Sequence, residues 1–205
     1  MSSKSTENVN PSRRSGPLNR VSRFFYAKSN LVIGLLATSV FAGYLVLVLT
    51  GKGTTFAVAD SSVRSLGTSL GFGETEILAF LSERSDQMIL AYIEFSQIWD
   101  TLFGLIYGVM YVVWVSVLFK PYSQKVGILN LLPFGQVIFD WVENFSLSAL
   151  SSQYLADGTI SSSMAMLAST SSAIKWGFSL LVYAVIAVGI VMRIAGAVKR
   201  RGKRT

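Results

Sequence analysis

The sequence predicts an all-α membrane protein: an antiparallel four-transmembrane-helix bundle with an amphipathic helical extension before span 2. Three observations carry this expectation. Hydrophobic residues make up 51% of the 205-residue chain and charged residues only 14%, against roughly 25% charged in an average soluble domain. Four apolar stretches each reach the ~20 residues that a bilayer core demands. The basic residues also gather at the chain ends: six of the 18 lie before Leu31 and six from Arg193 onward.

The composition excludes several chemistries. The chain has no Cys, so it has neither a disulfide framework nor a thiolate nucleophile. It has no His, which removes imidazole metal sites and the commonest general base. No cofactor-binding motif is present. The net charge of +7 accompanies no nucleic-acid motif, and its placement in two tails suits anionic lipid. Membrane lipids are therefore the expected partners, and nucleic acid is not.

Residues 1–30 are rich in Ser, Asn, Pro and Arg, with Glu7 as the single acid. They read as a disordered basic tail on the cytosolic side, a topology signal before an organelle transit peptide. The bundle is expected over 31–196, with a second basic tail over 197–205. Span 1, about 31–50, carries no charge, and Gly34, Thr38 and Ala42 form a small-residue line for close helix approach. GKGTT at 51–55 marks a turn.

From Glu74 to Gln97 apolar residues recur at helical spacing: Ile77, Phe80, Leu81, Met88, Ile89, Tyr92 and Ile93. Gly73 ahead of two first-turn acids suits a helix start. Neither Gly nor Pro interrupts Glu74 to Phe103, so one helix is expected to run unbroken into span 2. It would rest on the bilayer or gate a substrate.

Span 2, about 98–119, ends at Lys120-Pro121 and places Asp100, Gly104, Tyr107, Gly108 and Tyr111 on one face. Its G-x-x-x-G reads as a packing signal first. A turn at 120–125 leads to span 3, about 126–150. Ser161–Ser163 suits a helix cap before span 4, about 173–195, entered through Lys175-Trp176. Lys and Arg flank the chain ends and the 2–3 turn, which predicts both termini on the cytosolic side.

Leu132–Ser148, LPFGQVIFDWVENFSLS, stands out within this pattern. Asp140, Glu143 and Asn144 share one helix face, continued by Gln136 and Ser148. Such a stripe must face protein or a water-filled cavity. Measured from Lys120, Lys125 and Arg193, a rise of about 1.5 Å per residue puts Asp100 about 30 Å up, Asp140 about 22 Å, and Glu143 and Lys175 about 27 Å. Asp100, Asp140, Glu143 and Lys175 then meet in one layer, with Asn144, Tyr107 and Gln136 beside them.

These seven residues form the candidate polar cluster, and three readings compete for it. It is a buried ion-pair network that fixes helix packing, as in a structural or assembly subunit. It is a pocket for a cation, a small polar solute or a lipid head group, since three carboxylates against one ammonium leave an excess that either a proton or a cation should make up. Or it is an intramembrane carboxylate-dependent enzyme, although no nucleophile, His or phosphate loop accompanies the acids. No catalytic residue is assigned, and a metal is left open.

On Leu132-Pro133, Asp140-x-x-Glu143-Asn144, Asp100 with Tyr107, and Lys175, the chain resembles a loose group of four-span integral membrane proteins with D-x-x-E-N in the third span. The resemblance covers about residues 75–195. It implies the four-span architecture and the treatment of the charges as one unit, and it implies no activity.

Overall fold

The computed structural model describes residues 16–59 and 65–202. Within them every regular element is helical, and six helices carry the architecture. They are α1 (Pro17–Lys28), α2 (Leu31–Phe56), α3 (Glu74–Ser82), α4 (Asp86–Val126), α5 (Pro133–Asp157) and α6 (Ser162–Arg201). Three of them, α2, α4 and α6, are long and apolar enough to cross a membrane. The polar stripe lowers the hydropathy of α5, which at 25 residues is otherwise long enough.

α2, α4, α5 and α6 run alternately up and down. The antiparallel α2–α4 pair is built on the small-residue line of α2. The Trp114 indole lies 3.3 Å from where a Cβ on Gly34 would sit, and its Nε1 donates to Thr38 Oγ1 at 2.9 Å. Further along, Phe41 stacks on Phe103 with centroids 5.3 Å apart, and the Tyr44 hydroxyl donates to the Trp99 carbonyl. Only 6% of the α2 apolar window is buried, so the rest of that helix presents Leu31, Val32, Leu36 and Leu47 outward. An apolar surface of that extent suits lipid rather than water.

The G-x-x-x-G of α4 works as a packing motif. A Cβ on Gly104 would meet Asp140 Oδ2 at 2.7 Å, and one on Gly108 would overlap the Val137 side chain. Both glycines therefore let α5 approach α4 closely.

Four expectations are corrected. The N-terminal tail is not uniformly disordered: residues 17–28 form α1, whose Ser22 is held by Asn130 (residues 1–15 lie outside the described part). Ser22 Oγ donates to Asn130 Oδ1 at 2.6 Å, and Asn130 Nδ2 donates back to the Ser22 carbonyl at 3.0 Å. Pro17 in the first turn starts the helix without losing a bond.

The helix from Glu74 does not run unbroken into span 2, because the chain breaks at Glu83–Ser85. Arg84 turns back, lies over the Phe80 ring at 3.5 Å and donates to the carbonyls of Phe80 and Phe56. Ser85 then caps α4, accepting from the Met88 N–H. From Asp86 onward the helix is continuous into the apolar stretch, as expected.

α3 neither rests on the bilayer with its apolar face nor stands free. Ile77, Phe80 and Leu81 are each 1% exposed, packed with Ile89, Tyr92, Leu147, Leu150 and Ala168 into a core that closes one end of the bundle.

Finally, the turn expected between spans 2 and 3, which joins α4 to α5, lies at 127–132 rather than 120–125. Lys120-Pro121 is absorbed as one tight helical turn. The reversal falls instead at Gly127, whose φ of +56° favours glycine. The helix that follows, α5, accordingly begins at Pro133 and reaches Asp157, where Gly158 in the left-handed conformation ends it.

Candidate polar cavity within the helix bundle

The polar stripe of α5 faces inward. Gln136, Asp140, Glu143, Asn144 and Ser148 are buried, while Ile138 and Phe145 on the opposite face are more than half exposed. α5 is thus apolar outside and polar inside, because α4 and α6 cover its polar face.

Lys175 on α6 meets this stripe, as its height on the helix predicts. Its Nζ lies 2.5 Å from Glu143 Oε2 and 3.4 Å from Asp140 Oδ1, and it donates to the Gly67 carbonyl at 3.0 Å. Of these contacts the one to Gly67 is a hydrogen bond, and the two to the carboxylates are ion pairs.

The same face of α6 holds the loop that carries Gly67. Ser169, Ser172 and Lys175 follow at three-residue spacing. Ser169 Oγ accepts from the Phe72 N–H at 3.1 Å, and Ser172 Oγ donates to the Ser69 carbonyl at 2.7 Å. The Ser-rich segment before span 4 therefore pins the 65–72 loop to the bundle. Ser161 caps the helix, as its sequence position suggests.

Beside this ion pair lies a cavity of about 340 Å³. Six of the seven cluster residues line it: Asp100, Tyr107, Gln136, Asp140, Asn144 and Lys175. Glu143 does not. It is fully buried and sits behind the cavity, against Lys175.

Four of the lining residues bring buried polar atoms with no hydrogen-bond partner: Tyr107 OH, Gln136 Oε1, Asp140 Oδ2 and Asn144 Nδ2. Trp176 Nε1, also at the cavity, is a fifth. Buried polar groups are ordinarily satisfied, so this concentration of orphans sets the cavity apart from the packed core. Among the described residues, no group of three or more Asp, Glu, His or Cys is placed to hold a metal ion.

Two wide π-helical turns flank the cavity, Leu45–Leu49 in α2 and Phe95–Asp100 in α4. Each is fastened by a threonine hydroxyl reaching back five residues: Thr50 to the Leu45 carbonyl and Thr101 to the Ser96 carbonyl, both at 2.9 Å. The wide turn in α4 reverses the slow drift of four-apart residues round an α-helix. Tyr92, Ser96, Asp100, Tyr107 and Tyr111 consequently all reach the cavity.

Sequence reasoning missed the aromatic and loop parts of this wall. Phe41, Phe95, Phe103, Trp176 and Tyr183 line the cavity together with Ser65, Gly67 and Thr68. Only Tyr111, on the Asp100 face, carried a positional signal. Ser172, one helical turn before Lys175, could have been found by spacing. No family model, curated protein or solved structure matches the chain.

Proposed function

We propose that the protein is a four-span integral membrane protein, both termini cytosolic, whose charged cavity binds a cation, a small polar solute or a lipid head group. The observation that carries this reading is the pairing of two facts. Lys175 is already held by Glu143, Asp140 and the Gly67 carbonyl, and Asp140 Oδ2, Gln136 Oε1 and Tyr107 OH stand unpartnered at the cavity beside it. Three carboxylates against one ammonium leave negative charge that burial makes costly unless something compensates it. The fourth crossing is supported by α5, whose 25 residues span about 37 Å and whose polar face is covered by its neighbours. The cytosolic assignment rests on the Lys and Arg bias. The resemblance read from D-x-x-E-N implies the same architecture and no activity.

The second reading, a structural or assembly subunit, is favoured by one observation: Lys175 touches both Asp140 and Glu143. A locked pair of this kind specifies helix orientation. The two readings part at the cavity, which a packing role does not use. Native mass spectrometry of the protein released from membranes tests this. A retained adduct, lost on Asp140→Asn or Asp100→Asn, is expected. A bare protein mass in wild type and both variants would leave only the packing role.

A further inference from the structure

We infer that the cavity takes an organic ammonium, a primary or secondary amine on an apolar body, rather than an inorganic cation or a phosphate-bearing head group. The inference rests on the binding reading above and narrows it.

The charge comes first. Lys175 and Glu143 form the tight pair, and Glu143 does not reach the cavity. Asp100 and Asp140 remain at the wall. Their surplus negative charge favours a cationic ligand and repels a phosphate.

The polar atoms come next. Gln136 Oε1 and Asp140 Oδ2 are orphaned acceptors, and the unpartnered Tyr107 hydroxyl can accept as well as donate. They call for N–H donors, which a quaternary ammonium lacks. Asn144 Nδ2 and Trp176 Nε1 remain for water or for a hydroxyl on the ligand.

The rest of the wall is aromatic. Phe103 stacks on Phe41 and stands edge-on to Tyr107, with centroids 5.3 and 5.5 Å away. Tyr111 bridges Tyr107 and Tyr183 at 6.0 and 5.8 Å. Rings in that number attract a cation through their faces and bury an apolar body. A hard metal ion, by contrast, wants six or more oxygens, and no group of three acids among the described residues is placed to hold one.

The test is calorimetric titration of the full-length protein in lipid nanodiscs with 2-phenylethylamine, its trimethylammonium analogue, 2-phenylethanol, and NaCl or CaCl₂. The expected result is saturable binding of the amine with a Kd at least about tenfold below that of the alcohol and of the quaternary analogue. That factor corresponds to about 1.4 kcal/mol. Asp100→Asn and Asp140→Asn should each bring the amine to the level of the alcohol. Glu94→Gln, on an exposed α4 residue that pairs with Lys52 of α2, should leave binding unchanged.

Equal binding of amine and alcohol, equal binding of the quaternary analogue, or amine binding indifferent to both aspartates would overturn the inference. An inorganic cation that binds while the amine does not, or a native adduct that is not an amine, would overturn it and leave the broader binding reading standing. If no probe binds and the native protein carries no adduct, both fall.

Discussion

Lys175 is the residue on which the buried charge depends, because it pairs with two carboxylates and bonds a loop carbonyl at once. Truncating one member of a buried ion pair costs about 3–5 kcal/mol, since the partner is left uncompensated. Lys175→Met should therefore destabilise the detergent-solubilised protein by about 3 kcal/mol. In the Asp140→Asn, Glu143→Gln background the same change should be at least about 1 kcal/mol less harmful, because contacting residues couple. Thermal melts of the four proteins measure this, and additive effects would show that the ammonium and the acids do not act as a unit. Gly104 is a second point of dependence: a Cβ there would meet Asp140 Oδ2 at 2.7 Å and Trp141 Nε1 at 3.1 Å. Gly104→Val should cost about 1–3 kcal/mol by overpacking. Gly43→Ala, where nothing lies within 4 Å, should be neutral or slightly stabilising, and melts of the two variants compare them directly.

At the scale of elements, α1 is tied to the bundle by a buried polar contact as well as by Tyr26, which packs with Val115, Leu118 and Phe119. Asn130 is fully buried and bonds Ser22 twice and the Ser116 hydroxyl once, at 2.9 Å. Asn130→Leu removes these partners, and leaving buried polar groups unpaired costs about 1–3 kcal/mol. α1 should then detach more often, and limited trypsin digestion should cut at Arg20, Arg23 or Lys28 much faster than in wild type. Unchanged cleavage would mean that other contacts hold the helix. The end of α5 offers a smaller, pH-dependent case. The exposed Asp157 carboxylate accepts from the Thr159 N–H and hydroxyl at 2.9 and 2.7 Å, which holds its pKa below the ordinary 3.8. A lowered carboxylate pKa contributes at neutral pH and is lost as the pH falls through the lowered value. The protection factor of the Thr159 amide should accordingly hold at neutral pH and fall only in strong acid. Thr159→Ala should remove the hydroxyl's share of that protection.

For the whole molecule, the two ends differ in character. At one, Lys120 Nζ donates to the carbonyls of Ala27 and Ser29, each at 3.1 Å, and Arg193 donates to the Val117 carbonyl at 3.2 Å. At the other, α3 and the 65–72 loop close over the bundle, with Glu74 and Glu76 in the first turn of α3. The natural chain has no cysteine, so a single introduced thiol reports its own side. Gln124→Cys and Glu74→Cys are expected to label from opposite sides of oriented vesicles with an impermeant reagent. Labelling of both from one side would rule out the four-span arrangement.

The sequence by itself determined the helical class, the apolar stretches and the charged layer. Each follows from a short-range pattern: twenty apolar residues meet a bilayer, residues three and four apart share a face, and a constant rise converts position into height. Asp140, Glu143 and Lys175 were legible together for that reason. So was the close approach at Gly34 and Gly104, because only small residues admit a neighbouring backbone. The tertiary structure alone decided where helices stop when no Gly or Pro marks the place. The Glu83–Ser85 break depends on Arg84 finding Phe56, 28 residues away in the chain. It also decided that α1 is a packed helix, since a Ser22–Asn130 bond across 108 positions leaves no local trace. The division within the cluster was equally out of reach. Helical phase places Glu143 and Asp140 on the same face, but only the position of α6 decides that Glu143 is sealed against Lys175 while Asp140 borders a cavity. The aromatic wall comes from α2, α4 and α6 together, and single rings on separate helices carry no signal until packing brings them to one surface.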